Sequence, residues 1–251
     1  MSKVITFINE KGGVGKSQIA FAVAWELANQ GSKVLLIDLD GQRANLSFMA
    51  GIKKTDDMFT MYDVFQQNKG PEKAIMNIKE NLDIIPANND VSEISQKSTP
   101  ERARNVIKGL ESAYDYVFFD VPPSPDMRQF LSLLTSDYAL VIMLPDIMSI
   151  EANNGIIESL DQVKEYNKKL KVIGILFNKH ESRTNMSKQV QDLTLEYAKA
   201  MGTTVFHTKV RNAVSMAESV NYHIGITDYD KKSAVAEDIR QLITELKERV
   251  Q

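Results

Sequence analysis

Short, nearly continuous apolar runs recur along the chain, separated by stretches in which apolar residues return every third or fourth position. Val4-Ile5-Thr6-Phe7-Ile8, Ser32 to Asp38, Leu82 to Pro86, Tyr116 to Asp120, Tyr138 to Leu144 and Lys171 to Asn178 read as strands, with a shorter one over Thr204-Val205-Phe206. Runs that do not alternate in polarity are those of strands covered on both faces. Residues 19–28, 61–65, 100–110, 150–163, 185–201 and 233–250 carry the helical period. Gly31 is a natural stop for the first helix, Ser98 or Thr99 before Pro100 opens another, and Ser149 reads as the cap of the helix that follows it. Strands alternating with helices predict an α/β fold: a doubly wound, mainly parallel sheet with helices on both faces. Ligands then sit beyond the carboxyl ends of the strands, where Asn9, Asp38, Asp120 and Asn178 stand.

No linker, repeat or low-complexity segment interrupts this order, so residues 1–251 read as a single domain. The polar stretches 51–57 and 88–98 are the expected mobile loops. At 43% hydrophobic and 25% charged residues the chain has the composition of a soluble globular protein. It holds no cysteine, which excludes disulfides, thiolate zinc sites and iron–sulfur clusters. No apolar run is as long as a membrane span, and Met1-Ser2-Lys3 passes straight into the first strand, so a cytosolic protein without a signal peptide is expected. The net charge of −3 argues against a wholly basic nucleic-acid binder and is compatible with a local basic patch.

The chemistry concentrates in Asn9-Glu10-Lys11-Gly12-Gly13-Val14-Gly15-Lys16-Ser17, between the first strand and the first helix. Glycines let backbone N–H groups close on an anion, and a helix N-terminus adds free donors. Lys16 would reach the β- and γ-phosphates of a nucleotide, and the Ser17 hydroxyl would ligate Mg²⁺. Glu10 occupies the place of the first glycine of the usual phosphate-loop pattern, and Lys11 opens the loop. Asp38 and Asp120, at strand ends beside such a loop, suit a magnesium ion that keeps several of its waters. Asp40 lies beyond the strand end and could position an attacking water.

Lys11 to Ser17 resembles the deviant Walker A loop of the ParA/MinD family of P-loop ATPases, and the chain as a whole is most similar to ParA-type plasmid and chromosome partition ATPases. Leu36-Ile37-Asp38-Leu39-Asp40 resembles the family's A′ motif, and Tyr116 to Pro123 its Walker B strand and following switch. Pro145 with Ser149-Ile150-Glu151-Ala152, and Ser182 to Ser187, resemble later pieces. The likeness runs from Lys3 to about Leu246. It implies that Lys11, Gly12, Gly13, Val14, Gly15, Lys16, Ser17 and Gln18 cradle ATP, with Asn178 at the adenine. It implies Mg²⁺ at Ser17, Asp38 and Asp120, and catalysis by Lys11, Lys16 and Asp40. Lys11 would be the signature lysine that crosses an ATP-sandwich homodimer to the partner's phosphates. Further implications are non-specific DNA binding through Arg183, Lys188, Lys209 and Arg211, with Lys231 and Lys232 weaker, a centromere-binding ParB-like partner, and a cytoplasmic, nucleoid-associated location without membrane contact. Gly41 departs from the proline common after the second aspartate, Gln18 from a second hydroxyl, and Val210 from the proline before the arginine.

A MinD-like ATPase that positions division machinery on a membrane is the alternative. It needs a basic amphipathic terminal helix, whereas 237–249 has mixed charge and no aromatic residue. An electron-transfer iron protein of this fold is excluded by the missing cysteines. A kinase acting on a small molecule stays open.

Overall fold

The computed structural model describes residues 2–41, 45–67, 69–94, 99–151, 153–181 and 187–250. The strands are β1 (Lys3–Ile8), β2 (Val34–Asp38), β3 (Met76–Lys79), β4 (Leu82–Ile85), β5 (Tyr116–Asp120), β6 (Tyr138–Met143) and β7 (Lys171–Phe177). The helices are α1 (Lys16–Asn29), α2 (Asn45–Met49), α3 (Met61–Gln66), α4 (Pro100–Leu110), α5 (Met127–Thr135), α6 (Ile147–Glu151), α7 (Asn154–Tyr166), α8 (Lys188–Ala200), α9 (Val214–Asn221), α10 (Ile226–Tyr229) and α11 (Ala234–Arg249). Among the described residues the strands form one sheet in the order β3-β4-β2-β5-β1-β6-β7. All neighbours are parallel except the β3–β4 hairpin. This is the mainly parallel sheet, covered on both faces, that the apolar runs predict.

The physical reason is burial on two sides. Residues of one parity on β1, β2 and β5, such as Ile5, Leu36 and Phe118, face a core shared with α1 and α11. Val4, Leu35, Val117 and Phe119 face the other core, with α4, α5, α7 and α8. β1 lies between β5 and β6, where the chain turns from building one half of the sheet to the other. The carboxyl end of β1 is therefore the crevice in which this kind of sheet binds ligands.

Some local expectations are corrected. β3 has no apolar run because it is an edge strand with Met76 and Asn77 exposed. Residues 204–206 contribute only one bridge, between Val205 and Ile175. Ser149 does not cap the long helix. The chain makes the short α6, and α7 starts again behind Asn153. The Ser149 hydroxyl instead accepts from the Leu144 N–H at 3.1 Å. The helix expected from residue 185 is described from Lys188, capped by Ser187. Thr99 caps α4, and Ser98 lies outside the described residues. Helices α2, α5, α9 and α10 are additional to those the pattern predicts.

Candidate nucleotide-binding site

The loop after β1 is tied down along its length. Asn9 is fully buried; its Nδ2 donates to the Ile142 carbonyl at 2.5 Å, and its Oδ1 accepts from the Lys11 N–H at 2.5 Å. Asn178, at the end of β7, donates through Nδ2 to the Val14 carbonyl at 2.8 Å, and Lys179 donates to the Gly13 carbonyl at 2.8 Å. Gly15 has φ 91°, a left-handed conformation, and a Cβ there would run into the Asn178 amide. Only glycine meets both conditions. Helix α1 then begins with no side-chain cap and no acidic residue in its first turn. By contrast, α3, α4, α5, α8 and α11 each have a capping side chain. The open amides of α1 and the turned-in loop form a cradle for an anion.

Lys16 stands in that cradle and is 7% exposed. Among the described residues its Nζ finds only the Asn9 carbonyl, at 3.3 Å. Burial lowers its pKa, while Asp120 and then Asp40 pull it back up. A buried ammonium with so weak a partner is suited to a polyanion. Lys11 points elsewhere, with its Nζ 3.5 Å from Asp146 Oδ1 of the same chain.

Asp38 and Asp120 face each other across the β2–β5 register and are both buried. Their surroundings differ. Asp38 Oδ1 accepts from the Asp40 N–H at 2.9 Å, and its Oδ2 accepts from the Ser47 N–H at 2.9 Å and the Ser47 hydroxyl at 2.6 Å. Through these bonds Asp38 holds Asp40 and α2 in position. Among the described residues neither Asp120 oxygen has a hydrogen-bond partner of normal geometry, although Lys16 and the Ser17 hydroxyl lie near enough to lower its pKa in part. Desolvation is the largest effect on each carboxyl and raises both pKa values; the neighbouring Asp40 carboxylate raises Asp38 further, and the Asp38 carboxylate raises Asp120 further. Two orphaned carboxylate oxygens beside a serine hydroxyl fit a hydrated magnesium ion.

These raised values have a consequence for stability. A carboxyl that holds its proton more tightly when folded stabilises the fold at low pH, and that contribution is lost as pH rises through the folded pKa. The ligand-free protein is thus expected to lose stability from about pH 4 towards neutrality on account of this pair. Asp120→Asn should remove part of that loss. If about 1 kcal/mol is recovered, the unfolding midpoint at pH 7.5 rises by about 3 °C. Calorimetry of the nucleotide-free protein at several pH values measures this, and an unchanged or lower midpoint at pH 7.5 would contradict the strained-carboxylate account.

Gly12, Gly13 and Gly15 to Gln18 line a cleft together with Asp40, Pro122, Pro123, Ser124 and Arg128. Met49, Ala217 and Val220 line it as well. Gln18 ties α1 to α9, its Nε2 donating to the Met216 carbonyl at 2.9 Å. Asn178 is 2% exposed and acts on the loop backbone, so the structure places its amide at the phosphate loop. Arg128, Met49, Ala217 and Val220 are cleft residues that the sequence pattern does not reveal. They sit on α5, α2 and α9, where neither a motif nor a strand end marks them.

The expected DNA contacts are in different situations. Lys188 is exposed at the start of α8, and Lys209 is half-buried near His180, whose pKa is lowered by burial and then by Lys209. Arg183 lies outside the described residues. Arg211 is not a free cation. Its Nε and Nη2 lie 2.6 and 2.7 Å from the two oxygens of Asp238, a buried residue of α11. Lys231 pairs with Asp228 at 3.6 Å. The apolar face of α11, with Ile239, Leu242, Ile243 and Leu246, is buried in the α1 core. Among the described residues no helix is long and apolar enough to cross a membrane.

A lysine-bearing glycine loop between a central parallel strand and an uncapped helix, with a strand-end aspartate opposite, defines a P-loop nucleoside triphosphatase. Residues 2–172 match the AAA_31 family model, an AAA domain. The chain is 30% identical to the chromosome partitioning protein ParA of Myxococcus xanthus, over 99% of this chain and 89% of that one. It is 28% identical to the sporulation initiation inhibitor protein Soj of Bacillus subtilis, over 98% of each. Among solved structures, the septum site-determining protein MinD complexed with Mg-ADP from Pyrococcus horikoshii OT3 has the same fold. The TM-score is 0.78 at 24% identity, over 98% of this chain and 96% of that one. The chain belongs to the ParA/MinD family of P-loop ATPases and is, by that membership, an ATPase.

Proposed function

We propose that residues 1–251 form one ParA-like DNA-partitioning ATPase domain, cytoplasmic and nucleoid-associated. ATP and Mg²⁺ close two copies into a sandwich that binds DNA without sequence preference, and a ParB-like partner on DNA stimulates hydrolysis to ADP and phosphate. The loop amides and Lys16 take the phosphates, and Ser17 and Asp120 hold the magnesium. Bound magnesium neutralises phosphate charge. Asp40 orients the attacking water. Lys11 leaves Asp146 and reaches the partner's phosphates, supplying charge from outside the loop as an arginine finger does elsewhere. Basal turnover is far below the ~10 s⁻¹ of a typical enzyme, since the switch must stay loaded until a partner arrives.

The observation that carries the DNA reading over a MinD-like membrane role is the docking of α11. Its apolar face is already buried, so this helix offers no apolar stripe to a bilayer. The similarity to a chromosome partitioning protein supports the same choice.

DNA binding is best tested with the Asp40→Ala protein and ATP, in gel-shift titrations at several salt concentrations. Log affinity is expected to fall with log salt by roughly 0.9 per contacted phosphate. Lys209→Ala should weaken all sequences alike and reduce that slope by about 1 for each phosphate the lysine neutralises. Arg211→Ala is a poorer probe, because it strands the buried Asp238 carboxylate. Absence of DNA binding together with binding to anionic liposomes would replace this reading with the MinD-like one.

A further inference from the structure

Asp40 is gripped from both sides through the backbone carbonyls of its neighbours. On the N-terminal side Arg128 Nη1 donates to the Leu39 carbonyl at 3.1 Å. On the C-terminal side the Lys54 ammonium donates to the Gly41 carbonyl. The rest of the Arg128 guanidinium is held by Asp126, with Nε 3.2 and 3.1 Å from its two oxygens and Nη2 2.5 Å from Oδ2. Asp126 caps α5 by accepting from the Arg128 N–H at 2.9 Å, and it accepts from the Ser124 hydroxyl at 3.1 Å. Arg128 is 7% exposed. Gly41 packs so closely on Asn88 that a Cβ would strike the Asn88 carbonyl. That close approach accounts for glycine where a proline is common in the family.

This arrangement exceeds what folding alone requires. Asp126 would cap α5 with or without the guanidinium, and burying an arginine to satisfy one carbonyl is costly. Its planar fork can hold a carboxylate and a carbonyl at once, which joins the end of β2 to the loop that leaves β5. Those two segments carry Asp40 and Asp120.

We propose that Arg128 is a positioning residue for Asp40. Through the Leu39 carbonyl it fixes the backbone from which the Asp40 carboxylate projects, and Lys54 completes the clamp from the other side. The proposal rests on the reading of Asp40 as the water-orienting group.

The test is single-turnover hydrolysis of radiolabelled ATP, together with the Kd of a fluorescent ATP analogue. The proteins compared are the parent, Arg128→Ala, Lys54→Met, Asp40→Ala and the Arg128→Ala/Asp40→Ala double variant. A shift of about 1 Å in a reacting group can cost about 100-fold, so Arg128→Ala is expected to slow hydrolysis by up to that factor with Kd nearly unchanged. In the Asp40→Ala background the same substitution is expected to cost nothing further, because the group it positions is gone. An equal loss in both backgrounds, or weaker nucleotide binding with unimpaired hydrolysis at saturation, would overturn the proposal. Should Arg128→Ala fold poorly, Lys54→Met carries the test from the opposite side: slower hydrolysis at unchanged Kd supports the clamp, and the parental rate refutes it. Asp40→Ala hydrolysing at the parental rate would instead remove the underlying reading of Asp40. An inactive Asp40→Ala with a fully active Arg128→Ala would remove only the role of Arg128.

Discussion

A Lys16→Ala protein is expected to lose tight ATP binding. Lys16 is a buried cation in the cradle, and among the described residues its only hydrogen bond is to the Asn9 carbonyl. Its ordinary cost of burial is already visible in its lowered pKa. A charge-assisted hydrogen bond to phosphate is worth up to about 3 kcal/mol, so affinity should fall by about 100-fold or more. The substitution also leaves Asp120 and Asp40 without their shared counter-charge, which adds repulsion towards the incoming phosphates. Isothermal titration with ATP and magnesium measures the effect, with a thermal-melting control for folding. Lys11→Ala makes the contrast. Lys11 is paired with Asp146 and does not enter the cradle, so its removal should leave nucleotide affinity close to the parent's while dimerisation and turnover are lost. Light scattering with ATP separates the two variants. A Lys11→Ala protein that dimerises and hydrolyses normally would end its assignment as the cross-dimer lysine.

The second large effect is expected at Asp40. Asp40→Ala should bind ATP as the parent does, hydrolyse it only at a slow residual rate, and accumulate as an ATP-loaded dimer. A carboxylate that orients water contributes to the transition state and little to the ground state, so kcat falls while affinity is retained. The structure adds a reason for a clean phenotype. The Asp40 N–H and flanking carbonyls are held by Asp38, Arg128 and Lys54 through the backbone, and alanine keeps all three hydrogen bonds. The fold should therefore survive the substitution, and the midpoint of thermal unfolding is expected to stay close to the parent's. Product release measured with a phosphate sensor, alongside size-exclusion chromatography with ATP, checks both halves. Turnover at the parental rate would reduce Asp40 to a turn residue.

The strands, their parallel arrangement and the phosphate loop could be read directly from the chain. Continuous apolar runs can only be buried on both faces, and a glycine loop with Lys16 at a helix start is a local arrangement whose chemistry needs no distant partner. The same holds for Asp40 and Asp120, whose places follow from being at or just past the end of a strand. What could not be read was how each polar group is spent once the strands align. Asp38 and Asp120 are alike in the sequence, each ending an apolar run. Only the fold gives Asp38 the Ser47 donors and leaves the Asp120 oxygens without a well-formed hydrogen bond among the described residues. Asn178 could equally have met a base or a backbone, and the approach of β7 to the loop gives it the Val14 carbonyl. Arg211 is a basic residue like Lys209 until α11 brings Asp238 within 2.6 Å. Arg128 carries no motif at all, and it reaches the site because α5 packs beside the end of β2. Periodicity and local backbone geometry, both written in the chain, decide which side chains stand at the strand ends and in the loop. Which of them remain free to act was settled by the tertiary fold, because hydrogen bonds and ion pairs between segments far apart in the chain depend on distances that no local pattern encodes.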